Sequence, residues 1–373
     1  MESRKYKVLH LATHLNLGGI SSYLLILGEA FTKRGHVMAV LSSGGQKKED
    51  LERAGIRCFD LPIRTKSELH PKLLWAVPKV VSLVKNEKFD LMHAHSRVTQ
   101  VLAAAVSRLT GLPYISTAHG FYNARWGRKL FPCWGERAVA ISDLVAQELS
   151  KTHAVSQDKI RVIHNALDLD ALEKRLSQKE PFKIRSEHGI PPEAFVVGCI
   201  SRLVRDKGQE YLVEALRSLA GSVPNIFLWI VGDGRERGRL EALIKKYSLQ
   251  DHVRLDPGVN DTTTVLSAID VFAHPATFRE GFGLAMAEAM VAKKPVVATT
   301  IPAINTIFQN GVEAVLVPPK NAPALAQAIQ QLAADKKRAL SIAENGHALA
   351  VRLCNPVRQA EEMERVYREI VAA

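Results

Sequence analysis

Cysteine is scarce: Cys58, Cys133, Cys199 and Cys354 are the four in 373 residues. They lie far apart without a CxxC pair, which excludes a disulfide framework and a thiolate zinc site and fits a reducing compartment. Long apolar runs are missing as well. No stretch approaches the ~18 uninterrupted apolar residues of a membrane span. The basic start, MESRKYKVLHLATHLNLGG, is broken by His10, His14 and Asn16, so it reads as a first buried strand rather than a secretion signal. No short repeat, low-complexity segment or metal-ligand spacing of His, Cys and Asp occurs, so no metal and no cofactor is expected. A cytoplasmic location, with a peripheral place on the inner face of the membrane, is expected.

At 47% hydrophobic and 24% charged residues, the composition is that of a globular protein long enough for two domains. The net charge of +12 is uneven: residues 1–180 carry 27 Lys and Arg against 17 Asp and Glu. A basic half implies attraction to lipid headgroups or a polyanion, or serves solubility alone. Short Val/Ile/Leu-rich runs (KVLHLA, VMAVLSS, FDLMHAHS, PYISTAHG, RAVAISD) alternate with longer amphipathic ones. The second half repeats the scheme with FVVGCISRL, NIFLWIVGDG, HVRLDPG, DVFAHPA and KPVVATT. This is the pattern of βα units and parallel sheets covered on both faces. The expected class is α/β, two doubly wound domains over 1–168 and 169–355 with a cleft between them. Asn165 to Pro192, where charge rises and strand signals vanish, reads as the linker, and 356–373 as an amphipathic helix opened by proline. Ligands of such domains bind outside the carboxyl ends of the strands, so function is expected on strand-to-helix turns.

Four such turns carry candidate residues. In HLNLGGISSYL, Gly18-Gly19 permits a tight turn and close approach to a helix start. It is not GxGxxG, and no ribose-binding acid follows, so a dinucleotide site is disfavoured. His93 ends a strand and reads as a satisfied core group, whereas His119, followed by Gly120, Phe121 and Tyr122, is the histidine placed to meet a ligand. In CISRLVRDKGQ, Arg202 and Lys207 beside a helix start suit a departing diphosphate, whose growing charge they would neutralise. In VGDGRE, Asp233 reads as a cap. Finally, REGFGLAMAEAM sets Glu280 and Glu288 eight residues apart. An unbroken helix would turn them about 80° away from each other. The spacing therefore predicts a helix that begins near Leu284, with Glu280 just ahead of it, Glu288 one turn inside, and free backbone N–H groups around Phe282 and Gly283 as an anion site.

Taken together, Gly18-Gly19, His119, Arg202, Lys207, the ExGFGxxxxE element and the following PVVAT resemble the retaining glycosyltransferases of family four, over nearly the whole chain. The resemblance implies the GT-B fold, with the acceptor bound by the first domain, a nucleotide-sugar donor by the second, and the C-terminal helix packing back on the first. It implies that Arg202 and Lys207 hold the diphosphate and that Glu288 accepts from the ribose hydroxyls. Glu280 and His119 would meet the transferred sugar as catalytic groups, helped by backbone around Phe282, Gly283 and Leu284, with Gly18 and Gly19 close by. Front-face transfer is implied, without metal and with retention of configuration, the protein supplying positioning and charge stabilisation. A hexosyl transfer to a glycan or lipid-linked acceptor, as in polysaccharide or lipopolysaccharide synthesis, is the expected activity. The chain departs from the family where a glycine pair and an acid are usual, reading Pro302-Ala303 and Thr306, and again at Ala314. Asp168-Leu169-Asp170 resembles the DxD of metal-dependent sugar transferases but has no supporting acids, and reads as a chance match.

The segment Ala124 to Trp134 mixes Arg125, Arg128 and Lys129 with Trp126, Phe131 and Trp134, as a peripheral contact with an anionic membrane or a lipid-linked acceptor would. An ordinary helix with core aromatics gives the same mixture; nucleic acid is disfavoured because no RNA-binding signature accompanies it. Two other readings stay open: a sugar-nucleotide epimerase, and a catalytically silent nucleotide-sugar-binding protein.

Overall fold

The structure, a computed structural model, describes residues 4–16, 18–65, 67–68, 70–122, 126–278, 280 and 283–371. The chain forms two compact units, Met1–Ala166 with Asn355–Ala373, and Leu167–Cys354.

The N-terminal unit is built on a seven-stranded sheet of β1 (Lys7–Leu11), β2 (Val37–Ser42), β3 (Arg57–Asp60), β4 (Leu91–Ala94), β5 (Tyr114–Ala118), β6 (Ala138–Ala140) and β7 (Ile160–Val162), in the order β3-β2-β1-β4-β5-β6-β7. The C-terminal unit has β8 (Phe195–Ile200), β9 (Ile226–Val231), β10 (Val253–Asp256), β11 (Val271–His274), β12 (Val296–Thr299) and β13 (Val315–Val317), in the order β10-β9-β8-β11-β12-β13. All paired strands are parallel. Both sheets therefore reverse strand order at the same point, between β1 and β4 and between β8 and β11, where open α/β sheets accept ligands at their carboxyl ends. Both are Rossmann-like. The central strands are buried because helices cover both faces; β4 and β9, for example, are buried at every position, whereas the edge strands β3 and β7 are partly exposed.

Asn165 to Pro192 is not a loose linker. It forms two helices, Leu169–Ser177 and Pro181–Glu187, whose Leu172 and Ile184 enter the core of the C-terminal unit. Most of their charge lies on the solvent faces of amphipathic helices, although Arg185 is buried and pairs with Asp270 at 2.9 Å; Asp168 accepts from Ala171 N at 3.1 Å and caps the first of them. The Pro356–Val371 helix belongs to the N-terminal unit, where Met363, Val366, Tyr367 and Ile370 pack with Leu27 and Phe31. Arg34 pairs with its Glu361 at 3.3 Å, and Arg161 with its Glu369 at 2.7 Å. The four cysteines are free, and no helix among the described residues is long and apolar enough to cross a membrane.

Candidate functional site

In the C-terminal unit the sites suggested by sequence converge on the turns after β8 and β11. Past β8, a short 3-10 turn, Arg205–Lys207, ends on Gly208, which is left-handed (φ 66°) and starts the Gln209–Leu219 helix. A Cβ at Gly208 would lie 2.1 Å from the Pro275 carbonyl oxygen, so only glycine lets these two turns touch. Thr277 N donates to Asp206 O at 2.8 Å across the same seam. The seam delivers Lys207 to Glu280, 73 residues on in sequence, and the two form an ion pair with both side chains largely shielded from solvent. His274, at the end of β11, sets Nε2 at 3.3 Å from Glu280 Oε2. Burial alone would raise the Glu280 carboxyl, but the adjacent imidazole and ammonium outweigh it and hold the group well below the usual carboxylate range. Glu280 is thus a fixed anion.

The Leu284–Val291 helix starts as the spacing predicts, with Gly283 left-handed (φ 74°) at its N-cap and no side chain capping its first N–H groups. Glu288 lies one turn inside. Its carboxyl is raised by burial, an effect strengthened by the Asp261 charge and only partly offset by a hydrogen bond to Thr262 and by the Arg175 charge. Arg175, Asp261 and Thr262 were missed in the sequence, because Arg175 falls in the segment read as linker and neither of the others stands in a motif. Arg202 is exposed, two residues beyond β8. Asp233 is not the helix cap expected of it: the following Arg237–Lys246 helix has Glu236 at its N-cap with no side-chain cap, and Asp233 Oδ2 instead accepts from Gly258 N at 3.0 Å, tying its turn to the loop after β10. Pro302 occupies the first position of the four-residue Pro302–Asn305 helix, removing one N–H from that turn, while Ala303 and Ala314 are buried. Phe282 lies outside the described residues.

In the N-terminal unit the Gly19–Lys33 helix begins directly after Gly18, and a Cβ on Gly18, Gly19 or Gly120 would meet no atom within 4 Å. His119, just past β5, is held on two sides. Its Nε2 lies 2.9 Å from His95 Nδ1, and the Tyr23 ring stands edge-on to it at 4.8 Å. His93 is a satisfied core group, with Tyr367 OH and Thr117 Oγ1 each at 2.7 Å. The ligand atoms of His10, His93 and His95 all lie within 4.8 Å of one another, a grouping that no sequence spacing announced. Burial drives the imidazoles of His10 and His119 down to about 3, and those of His93 and His95 well below their ordinary value.

Arg128 is not the surface cation expected of it. It lies in the Trp126–Leu130 helix with its guanidinium 4.2 Å from the Tyr122 ring centroid and 5.7 Å from that of the buried Trp134, an inward cation–π stack. Leu130 and Phe131 are exposed instead. Arg125 and the side chains of Trp126 and Lys129 lie outside the described residues.

Two Rossmann-like units with cations, carboxylates and open glycine turns gathered at their strand ends define a glycosyltransferase of the GT-B class. The chain belongs to the family-four, group 1 glycosyltransferases: residues 17–171 match the model described as Glycosyltransferase Family 4, and residues 181–348 that described as Glycosyl transferases group 1. It is similar to the UDP-Gal:alpha-D-GlcNAc-diphosphoundecaprenol alpha-1,3-galactosyltransferase of Escherichia coli, at 26% identity with 85% of this chain and 84% of that protein covered. Among solved structures it is similar to a glycosyltransferase from Rickettsia africae (TM-score 0.87, 22% identity, 98% of this chain and 99% of that chain). It is also similar to Anabaena HepE in complex with UDP-glucose (TM-score 0.83, 24% identity, 98% and 100%).

Proposed function

We propose that this glycosyltransferase is a retaining, metal-independent hexosyltransferase that moves a sugar from a nucleotide-sugar donor, with a glycan or lipid-linked acceptor of envelope polysaccharide or lipopolysaccharide synthesis. The observation that carries the proposal is the Lys207–Glu280–His274 cluster beside the uncapped start of the Leu284–Val291 helix. Lys207, with Arg202, offers positive charge to a diphosphate as its own charge grows on departure, the task a metal ion performs elsewhere. Glu280, ionised and oriented by Lys207 and His274, accepts hydrogen bonds from the transferred sugar, and Glu288 accepts from the ribose. His119, Gly18 and Gly19 face the sugar and acceptor. With no nucleophile assigned, catalysis is positioning and charge stabilisation, and the departing phosphate takes the acceptor proton. Support comes from the UDP-glucose bound in the Anabaena neighbour and from the undecaprenol-linked acceptor named for the E. coli relative.

A peripheral contact with an anionic membrane fits the basic N-terminal unit, now through exposed Leu130, Phe131, Leu74 and Trp75, the last under Lys79 at 3.5 Å. Failure of the purified protein to co-sediment with anionic liposomes at low salt would remove that part.

The test is thermal stabilisation by UDP-, GDP-, ADP- and TDP-sugars without metal, followed by transfer to a polyprenyl-diphosphate sugar and assignment of the product anomer. One donor class is expected to stabilise the wild type and fail with Glu288→Ala, and Glu280→Gln is expected to lower kcat/KM by about 10²-fold or more. Stabilisation by no donor, or an inverted product, rejects the assignment.

A further inference from the structure

One polar feature of the N-terminal unit is larger than the residues assigned to donor and acceptor. Six side chains form a continuous line. Thr117 Oγ1 meets His93 Nε2 at 2.7 Å, and His93 Nδ1 meets Tyr367 OH at 2.7 Å. Tyr367 OH meets His10 Nε2 at 3.4 Å, His10 Nδ1 meets His95 Nε2 at 2.9 Å, and His95 Nδ1 meets His119 Nε2 at 2.9 Å. His10 and His95 have ring centroids 5.1 Å apart and planes only 10° apart. So wide a centroid separation with so short an N···N contact sets the two rings edge to edge, sharing a proton along their common plane.

Three buried imidazoles within ligand reach of one another also raise the question of a metal. Tetrahedral ligation at about 2.1 Å per bond holds two nitrogens roughly 3.4 Å apart with both lone pairs converging. The 2.9 Å in-plane contact of His10 and His95 is too short for that and suits a hydrogen bond.

Because burial keeps these imidazoles neutral, each has one N–H and one lone pair. In a line of such rings every donor must point the same way. The phenol, a stronger donor than acceptor, gives its proton through its shorter link, to His93 Nδ1. His93 then donates from Nε2 to Thr117, and Tyr367 accepts from His10 Nε2–H. His10 Nδ1 therefore accepts from His95 Nε2–H, and His95 Nδ1 accepts from His119 Nε2–H.

We propose that the line from Thr117 through His93, Tyr367, His10 and His95 is one tautomeric unit that fixes the proton of His119 on Nε2 and leaves Nδ1 bare, as an acceptor for a hydroxyl of the transferred sugar. His10, His95 and Tyr367 are then positioning residues. The functional half rests on the reading of His119 as facing that sugar; the tautomer half does not. Tyr367 sits on the Pro356–Val371 helix, so the seating of that helix and the state of His119 are linked.

The experiment is long-range proton–nitrogen correlation NMR on the full-length protein with ¹⁵N-histidine, comparing wild type with Tyr367→Phe and Thr117→Val. In the wild type His119 is expected as the Nε2–H tautomer. Tyr367→Phe removes the acceptor for His10 Nε2–H, so His10 moves its proton to Nδ1, His95 follows, and His119 becomes the Nδ1–H tautomer. Thr117→Val, an isosteric change at the opposite end, reverses the line from there and yields the same flip, which keeps the test open should one variant fail to fold. Both variants are expected to lower kcat about 2- to 10-fold, the worth of one hydrogen bond, with donor KM unchanged. An Nδ1–H His119 in the wild type, or a His119 unmoved in the folded variants, overturns the proposal. So does one equivalent of zinc held by the wild type and lost in His95→Gln. A flip without a change in kcat upholds the line and refutes the role of His119 in transfer.

Discussion

The two units share one strand order and spend their polar residues differently. The N-terminal unit carries 27 Lys and Arg against 17 Asp and Glu, yet the turns after β1, β4 and β5 hold neutral imidazoles and, at Gly18, Gly19 and Gly120, glycines with open space beside them. The C-terminal unit is nearly balanced, 23 against 21, yet it concentrates paired charge at the equivalent turns. Two of its glycines there are packed against backbone: a Cβ on Gly232 would sit 1.9 Å from the Ser201 oxygen, as one on Gly208 would from that of Pro275 at 2.1 Å. Net charge therefore says little about where a unit works. What distinguishes the sites is whether the turn keeps room or keeps charge.

The largest expected divergence between the units is in acid. In the unfolded chain a histidine takes up its proton near 6.5, whereas His10 and His119 in the fold stay neutral down to about 3, with His93 and His95 also well below the ordinary value. Between those limits the unfolded state holds more protons, so stability falls as pH falls. Each such histidine removes about 1.4 kcal/mol per pH unit. Four together remove about 5 kcal/mol per pH unit, against a typical domain stability of roughly 5–15 kcal/mol. The C-terminal unit leans on carboxylates, Glu280, Asp256 and Asp261, held below their ordinary values of 4.5 and 3.8; their contributions are lost only as pH falls through that lower range. Hydrogen exchange read by mass spectrometry should therefore show the N-terminal unit losing protection between pH 6.5 and about 5 while Leu167–Cys354 keeps its own. Simultaneous loss in both units would erase this contrast.

A smaller effect separates the two kinds of glycine. Gly208→Ala combines a left-handed backbone with a clash at a carbonyl, and should lower unfolding stability by about 1–3 kcal/mol or more. Gly19→Ala, inside a helix and beside open space, should leave the melting temperature unchanged or gain about 0.4–1 kcal/mol, while lowering kcat/KM. Equal destabilisation by the two variants would mean that the N-terminal turn is merely structural. Smallest is Arg128→Ala, which removes a stack on Tyr122 and should cost about 0.5–2 kcal/mol in urea unfolding. An unchanged midpoint accompanied by weaker liposome binding would return Arg128 to the surface role first expected of it.

Much of the architecture was legible. The apolar runs locate ten of the strands, and Gly283 ahead of an alanine-rich stretch marks a helix start. The unread strands, β3, β7 and β13, are four residues or fewer, and β3, RCFD, has only two apolar residues between charged ends. The helices at 169–187 were hidden because their buried face is narrow and their charge dense. At the candidate site, residue types were readable but partnerships were not. Lys207 and Glu280 look like separate contacts to separate parts of a donor until backbone packing at Gly208 brings them together. His10 looked like a flaw in an apolar run, although it is a link in a buried line of imidazoles, because cross-strand neighbours such as His10 and His93 lie 83 residues apart in sequence.

The return of Asn355–Ala373 to the first unit sets an order on the ribosome. Strands β1 to β7 emerge first, but Met363, Val366 and Tyr367 of their core are translated only after the whole of Leu167–Cys354. The C-terminal unit has all of its own residues earlier. The domain begun second is then the first able to close, and the nascent N-terminal sheet waits with Phe31 and Leu27 uncovered, the interval in which a chaperone has most to hold.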